Sequence, residues 1–162
     1  MKKLSLLFLC FNAFLNCQSE PKTVFSEAAL KDSFENLDGT ALAFESILEK
    51  HAGKSIFIDV WASWCKDCIV GLPKLKALQA KNPEMAYVFL SLDKSTAAWK
   101  NGIERYGIMG DHYFISSGWK GPMGKFLDLD WIPRFIIVNP MGEIAVYRAI
   151  KTTDKNLLNY IK

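Results

Sequence analysis

The strongest constraint on this chain is the run Ser55-Ile-Phe-Ile-Asp-Val-Trp61, apolar at almost every position and broken by one carboxylate. A strand with alternating polar positions could face water on one side; a continuous run of this kind reads as a strand buried on both faces. Its sheet must then carry helices on both sides. From Cys65 to Ala80, Ile69, Leu72, Leu75 and Leu78 recur at helical spacing, and Met85–Leu92 is a second apolar run. Strand, helix and strand in that order predict parallel strands joined by a right-handed crossover, and so an α/β fold.

Signals on either side extend the unit. Asp38-Gly39, with Phe34 and Leu37 before it and Leu42 and Phe44 after it, marks a hairpin turn. A short helix is expected over Glu45–His51, ending at Gly53. Another is expected from Asp93 to Arg105, with Asp93 or Ser95 as its cap. Residues 106–130, rich in glycine and aromatics, predict a loop followed by a short helix near Met123–Leu129. Arg134–Val138 and Glu143–Arg148 form a strand pair around the turn Asn139-Pro-Met-Gly142, and a helix over Thr153–Ile161 closes the chain. With 162 residues, 50% of them hydrophobic, this is material for one domain.

The first 17 residues have a different composition. Lys2 and Lys3 precede an apolar run from Leu4 to Leu15, the layout of a secretory signal and shorter than the roughly 20 residues needed to span a bilayer. The segment ends at Asn16-Cys17 and resembles a bacterial lipoprotein signal, in which the cysteine is lipidated and begins the mature protein. An ordinary secretory signal cut nearby is the alternative. The expected organisation is a signal peptide over 1–16, a tether over 17–32 and a folded domain over 33–162, working in the periplasm or cell envelope and anchored to a membrane through Cys17. Without the lipid it would be secreted.

Net charge is +3, from 20 basic and 17 acidic residues, which gives no footprint for nucleic acid. Four cysteines are too few for a disulfide-built scaffold, so each needs its own explanation. Cys10 lies within the removed segment. In Trp61-Ala-Ser-Trp-Cys65-Lys-Asp-Cys68, two cysteines three apart sit where the buried strand gives way to the helix. A helix N-terminus offers unpaired N–H groups and partial positive charge, which stabilise a thiolate. Cys65 is therefore the expected nucleophile. Cys68, one turn in and more buried, is the expected resolving thiol. Half of a zinc site is the competing reading; it needs two more ligands, and only His51 and His112 remain, far away in sequence.

Ile58-Asp-Val-Trp-Ala-Ser-Trp-Cys65-Lys-Asp-Cys68, with Pro73 in the following helix, resembles the thioredoxin superfamily, and more narrowly its extracytoplasmic thiol-disulfide oxidoreductases of the TlpA/ResA type. Trp131-Ile-Pro133-Arg-Phe-Ile-Ile-Val-Asn-Pro-Met-Gly142 is similar to that family's cis-proline loop, strand and turn. The resemblance covers roughly residues 33–162. It implies a thioredoxin-like fold, a central mixed sheet flanked by helices with an insertion before the cis-proline loop. Asp59 then matches the family's buried acid, able to take a proton from Cys68; a solvent-facing or turn-capping aspartate is the alternative. The resemblance also implies a cis Ile132–Pro133 bond and backbone contact between Ile132 and an incoming peptide. Trp64 is expected to shield the disulfide and offer a flat apolar surface, whereas Trp61 reads as core. Two departures stand out: Lys66-Asp67 replaces the common Gly-Pro between the cysteines, and Arg134 replaces the usual threonine after the proline. Lys66 and Arg134 would place positive charge beside Cys65, with Asp67 opposing it. His112 reads as a surface or loop histidine, and Tyr113, Phe114 and Trp119 as packing within the insertion.

The expected activity is thiol-disulfide exchange between Cys65/Cys68 and protein disulfides, in the reducing direction. No cofactor and no metal are expected, since the sulfurs are the redox centre. The expected partners are a disulfide-containing client and an upstream dithiol donor, with the chain acting as a monomer. The rival readings are an oxidant of the DsbA kind and a copper or zinc carrier on the same fold. A peroxidase would call for a lone peroxidatic cysteine with nearby Pro and Thr.

Overall fold

The computed structural model describes residues 22–161. Thirteen elements follow in the order α1 (Glu27–Leu30), β1 (Ser33–Glu35), β2 (Ala41–Ala43), α2 (Phe44–Lys50), β3 (Ile56–Trp61), α3 (Lys66–Lys81), β4 (Ala86–Ser91), α4 (Thr96–Tyr106), β5 (Asp111–Ile115), α5 (Pro122–Phe126), β6 (Arg134–Val138), β7 (Ile144–Ala149) and α6 (Lys155–Tyr160). The strands form one mixed sheet in the order β2-β1-β5-β4-β3-β6-β7. β3, β4 and β5 run parallel, and the flanking pairings are antiparallel. Every residue of β3, β4 and β6 is buried, as the unbroken apolar runs require.

Side-chain alternation on β5 separates the two faces. Phe114 meets Trp99 of α4, while Asp111 pairs with Lys50 at the end of α2. On the α2 side, Phe25, Phe44 and Phe126 pack ring against ring at 4.9 and 5.2 Å, joining α2 and α5 to the segment before α1. On the α4 side, Lys76 and Gln79 of α3 donate to the carbonyls of Tyr106 and Met109, tying α3 to the end of α4. Gly107 then closes α4 in the left-handed conformation, at φ 55°.

Three expectations need correction. Residues 22–32, expected as tether, belong to the folded body: Phe25 and Ala29 are core residues, and the Thr23 carbonyl accepts from Ile144 N–H. Buried Asp32 accepts from Ser117 Oγ and Met123 N–H, pinning the start of α5. Its apolar residues span too short a stretch to show a period, yet Phe25 and Ala29 suffice to dock it. Second, the loop expected after α4 contains β5; Tyr113, Phe114 and Ile115 favour a strand, but the run is too short and too closely flanked by glycines to declare one, and pairing with β4 and β1 makes it. Third, His112 is a buried residue of that strand. It stacks on Phe89 at 5.1 Å, and its Nε2–H donates to the Ile108 carbonyl at 3.0 Å. Cys17 and Cys10 lie outside the described residues.

Candidate active site

β3, an interior strand, delivers the chain to the C-terminal end of the parallel strands, and a tight loop reverses it into α3. Buried Asp93 fixes that loop by accepting from Ser63 N–H and Oγ and from Ser91 Oγ, at 2.7 to 3.1 Å. Asp93 therefore braces the approach to Cys65, and Ser95 alone caps α4. α4 crosses close above the loop at Gly102, where a Cβ would stand 2.5 Å from Ser63 Cβ. A side chain at this crossing would push the loop and helix apart.

Cys65 is the N-cap of α3, and its Sγ accepts the Cys68 N–H at 3.1 Å. The two sulfurs are joined in a disulfide. Exposure does not distinguish the pair, at 6% for Cys65 and 5% for Cys68, contrary to the expectation that Cys68 is the more buried. Position does: Cys65 lines a surface cleft of about 380 Å³ that Cys68 does not reach. Ile132 lines the same cleft, with its carbonyl in contact with Cys65 Sγ at 3.6 Å, and the Ile132–Pro133 bond is cis.

Three tryptophans, Trp64, Trp119 and Trp131, share the cleft wall. Trp64 and Trp131 are 54% and 59% exposed, whereas Trp61 is core. A neighbouring groove runs from Asp67 and Trp131 to Val70 and Ile150, so the mouth of the disulfide is largely apolar and aromatic. Trp119 and Trp131 were not singled out as site residues from sequence. Both lie next to glycine or proline signals, and only the folding of the 116–133 segment brings them to Cys65.

Asp59 sits on the sheet face that carries Phe57, which packs on Tyr87; Tyr87 in turn donates to carbonyls at the end of α3. That is the face α3 covers with Cys68, Leu72, Leu75 and Leu78. Burial holds the Asp59 carboxyl well above the ordinary carboxylate range, and among the described residues its Oδ1 has no hydrogen-bond partner. His112 lies on the same face, two strands away beyond Phe89, and burial lowers its pKa.

Arg134 departs from expectation. It is fully buried, and its guanidinium donates to the Leu127 carbonyl and to Asp130 rather than standing free beside Cys65. Lys66 and Asp67 do line the cleft. Among the described residues no group of three or more His, Cys, Asp or Glu is arranged to hold a metal ion, and no helix is long and apolar enough to cross a membrane.

Residues 53–144 match a family model described as thioredoxin-like. Thiol-disulfide oxidoreductase ResA of Bacillus thuringiensis (strain Al Hakam) is 33% identical over 114 residues, covering 68% of this chain and 63% of the relative. ResA of Bacillus thuringiensis subsp. konkukian is 23% identical over 117 residues, with 71% and 66% covered. The chain thus spans just under two thirds of the length of these relatives. A solution structure of a Bacteroides vulgatus protein assigned to the thiol-disulfide oxidoreductases superposes with a TM-score of 0.68 at 28% identity, covering 84% of this chain and 87% of that one.

Proposed function

The chain belongs to the thioredoxin-like family, and from that premise we propose that it is a thiol-disulfide oxidoreductase acting on protein disulfides outside the cytoplasm, in the reducing direction. The observation that carries this reading is the placement of Cys65. It caps α3, is joined to Cys68, and opens onto an aromatic cleft with the Ile132 carbonyl against its sulfur.

In the reduced protein, the α3 N-terminus and the Cys68 N–H favour negative charge on Cys65 Sγ. The thiolate attacks one sulfur of a client disulfide, forming a mixed disulfide and releasing the other client sulfur as thiolate. Cys68 then attacks Cys65 Sγ. Its proton passes to a base, the client's second thiol leaves, and the Cys65–Cys68 disulfide forms with two electrons transferred to the client. Burial raises the Asp59 carboxyl well above the ordinary carboxylate range, so its ionised form is an unusually strong base among carboxylates and is suited to take that proton. A dithiol donor resets the pair. Trp64, Ile132 and Pro133 border the path along which a client segment would approach, and in this proposal the backbone of Ile132 pairs with it. Anchoring of the mature chain through a lipid at Cys17 completes the proposal, and the chain is taken to act as a monomer.

The test is trapping. In Cys68→Ser the mixed disulfide has no resolving thiol, so clients from the native envelope should be retained and released only by reductant. Cys65→Ser should retain far fewer. Equal capture by both variants would contradict the assigned roles; no capture by Cys68→Ser, with wild type oxidising reduced clients, would favour the oxidant reading.

A further inference from the structure

The wall of the cleft opposite Trp64 is the irregular segment Leu127–Pro133, which carries Asp130, Trp131 and Ile132 to Cys65. Three cations from three different parts of the chain hold it. Arg134, at the start of β6, donates to the Leu127 carbonyl and to Asp130 Oδ1, both at 2.6 Å. Arg148 of β7 donates to Asp130 Oδ2 at 2.7 Å, so one carboxylate is shared by two guanidinium groups. Lys22 reaches Asp128 Oδ2 at 2.9 Å and the Phe126 carbonyl, and Tyr147 Oη donates to the same carboxylate at 2.9 Å. Asp128 adopts φ 45°, the one left-handed residue other than glycine among those described, which bends the segment between its two anchors.

Arg134 is the member of this set that least resembles a surface ion pair. It is wholly buried, its planar fork binds two positions three residues apart in one segment, and it is covalently next to Pro133. A guanidinium here links the residue after the cis bond back to the residues before it. The loop is thereby closed into a braced bow with Trp131 and Ile132 at its apex.

Taking the exchange reaction above as given, we propose that Arg134, Asp130 and Arg148 are positioning residues that fix the Trp131–Ile132 wall relative to Cys65 and so set which protein disulfides can dock. They touch neither sulfur. Their effect should fall on substrates that need the wall and spare those that do not.

The experiment compares second-order rates of the reduced full-length protein with insulin, whose disulfides must be presented on a polypeptide, and with glutathione disulfide, which needs little of the wall. Arg148→Ala removes the exposed anchor at little risk to folding, and Arg134→Lys keeps charge but loses the fork. The expected result is a fall of roughly ten-fold on insulin for Arg134→Lys, a smaller fall for Arg148→Ala, and glutathione disulfide rates within about two-fold of wild type. The reduction potential should be unchanged, amide exchange should accelerate at residues 128–132, and Arg148→Lys should recover most of the insulin rate. Equal losses on both substrates, or no loss on either with exchange at 128–132 unaltered, would overturn the proposal while leaving the exchange reaction standing. Wild type inert on insulin and glutathione disulfide alike would overturn both.

Discussion

Asp59 is the residue at which the proposed chemistry and the stability of the fold pull against each other. It stands in a fully buried strand, and burial raises its carboxyl well above the ordinary value near 4. The folded state therefore binds this proton more tightly than the unfolded state. As pH rises from the unfolded value toward the folded one, stability falls, and above the folded value the loss is complete. Asp59→Asn, always neutral, should escape that loss. Denaturant unfolding should give the variant and wild type similar midpoints near pH 4 and a gap favouring the variant that widens toward neutrality. A constant gap across that range would place the carboxylate in a solvated setting. The same substitution should slow disulfide reduction roughly ten-fold or more, the scale for loss of a positioned base. Asp59 was legible in sequence because one acid interrupts an apolar run. Asp93, equally buried, was not: it looks like a helix cap, and its tie to Ser63 depends on β4 lying beside β3.

Elements were legible in proportion to their own periodicity. β3, α3, β4 and α4 each carry a pattern long enough to declare itself, and the Asp38-Gly39 turn announces the β1–β2 hairpin. β5 has no such pattern. Its existence is a tertiary fact, supplied by hydrogen bonding to β4 and β1 and by Trp99 and Phe89 packing on Phe114 and His112. The crossing of α4 over the loop before Cys65 was equally hidden, since Gly102 within a helix looks like a weak position. Propensity favours Gly102→Ala by ~1 kcal/mol, yet the added methyl overlaps Ser63 Cβ and meets Trp61 at 3.3 Å. Ser63 belongs to a loop pinned by Asp93 and cannot swing clear. The net expectation is destabilisation of about 1–2 kcal/mol by chemical denaturation, in the range for overpacking, with slower disulfide exchange. A stabilised variant would mean that the loop yields freely.

At the scale of the whole molecule, the sheet joins what the chain separates: Cys65 follows β3, Ile132 precedes β6, and pairing of these neighbouring strands brings sulfur and carbonyl within 3.6 Å. The two motifs were readable as a pair only because both resemble one family; the aromatic wall between them was not, because Trp119 and Trp131 depend on how the 116–133 segment folds back. The N-terminal strap was hidden for a similar reason. It is held by Phe25 between Phe44 and Phe126, so Phe25→Ala should cost about 3 kcal/mol or more of unfolding free energy. A negligible change would return residues 22–32 to the status of a tether. The central claim is that the fold makes Cys65, and not Cys68, the attacking thiol, through its place at the α3 N-cap and in the cleft. Alkylation of the reduced protein with substoichiometric iodoacetamide across pH 5–9, mapped by peptide mass, measures this directly. Label should accumulate at Cys65 with a midpoint below the ~8.5 of a free cysteine while Cys68 stays unmodified; equal or faster labelling of Cys68 would contradict it.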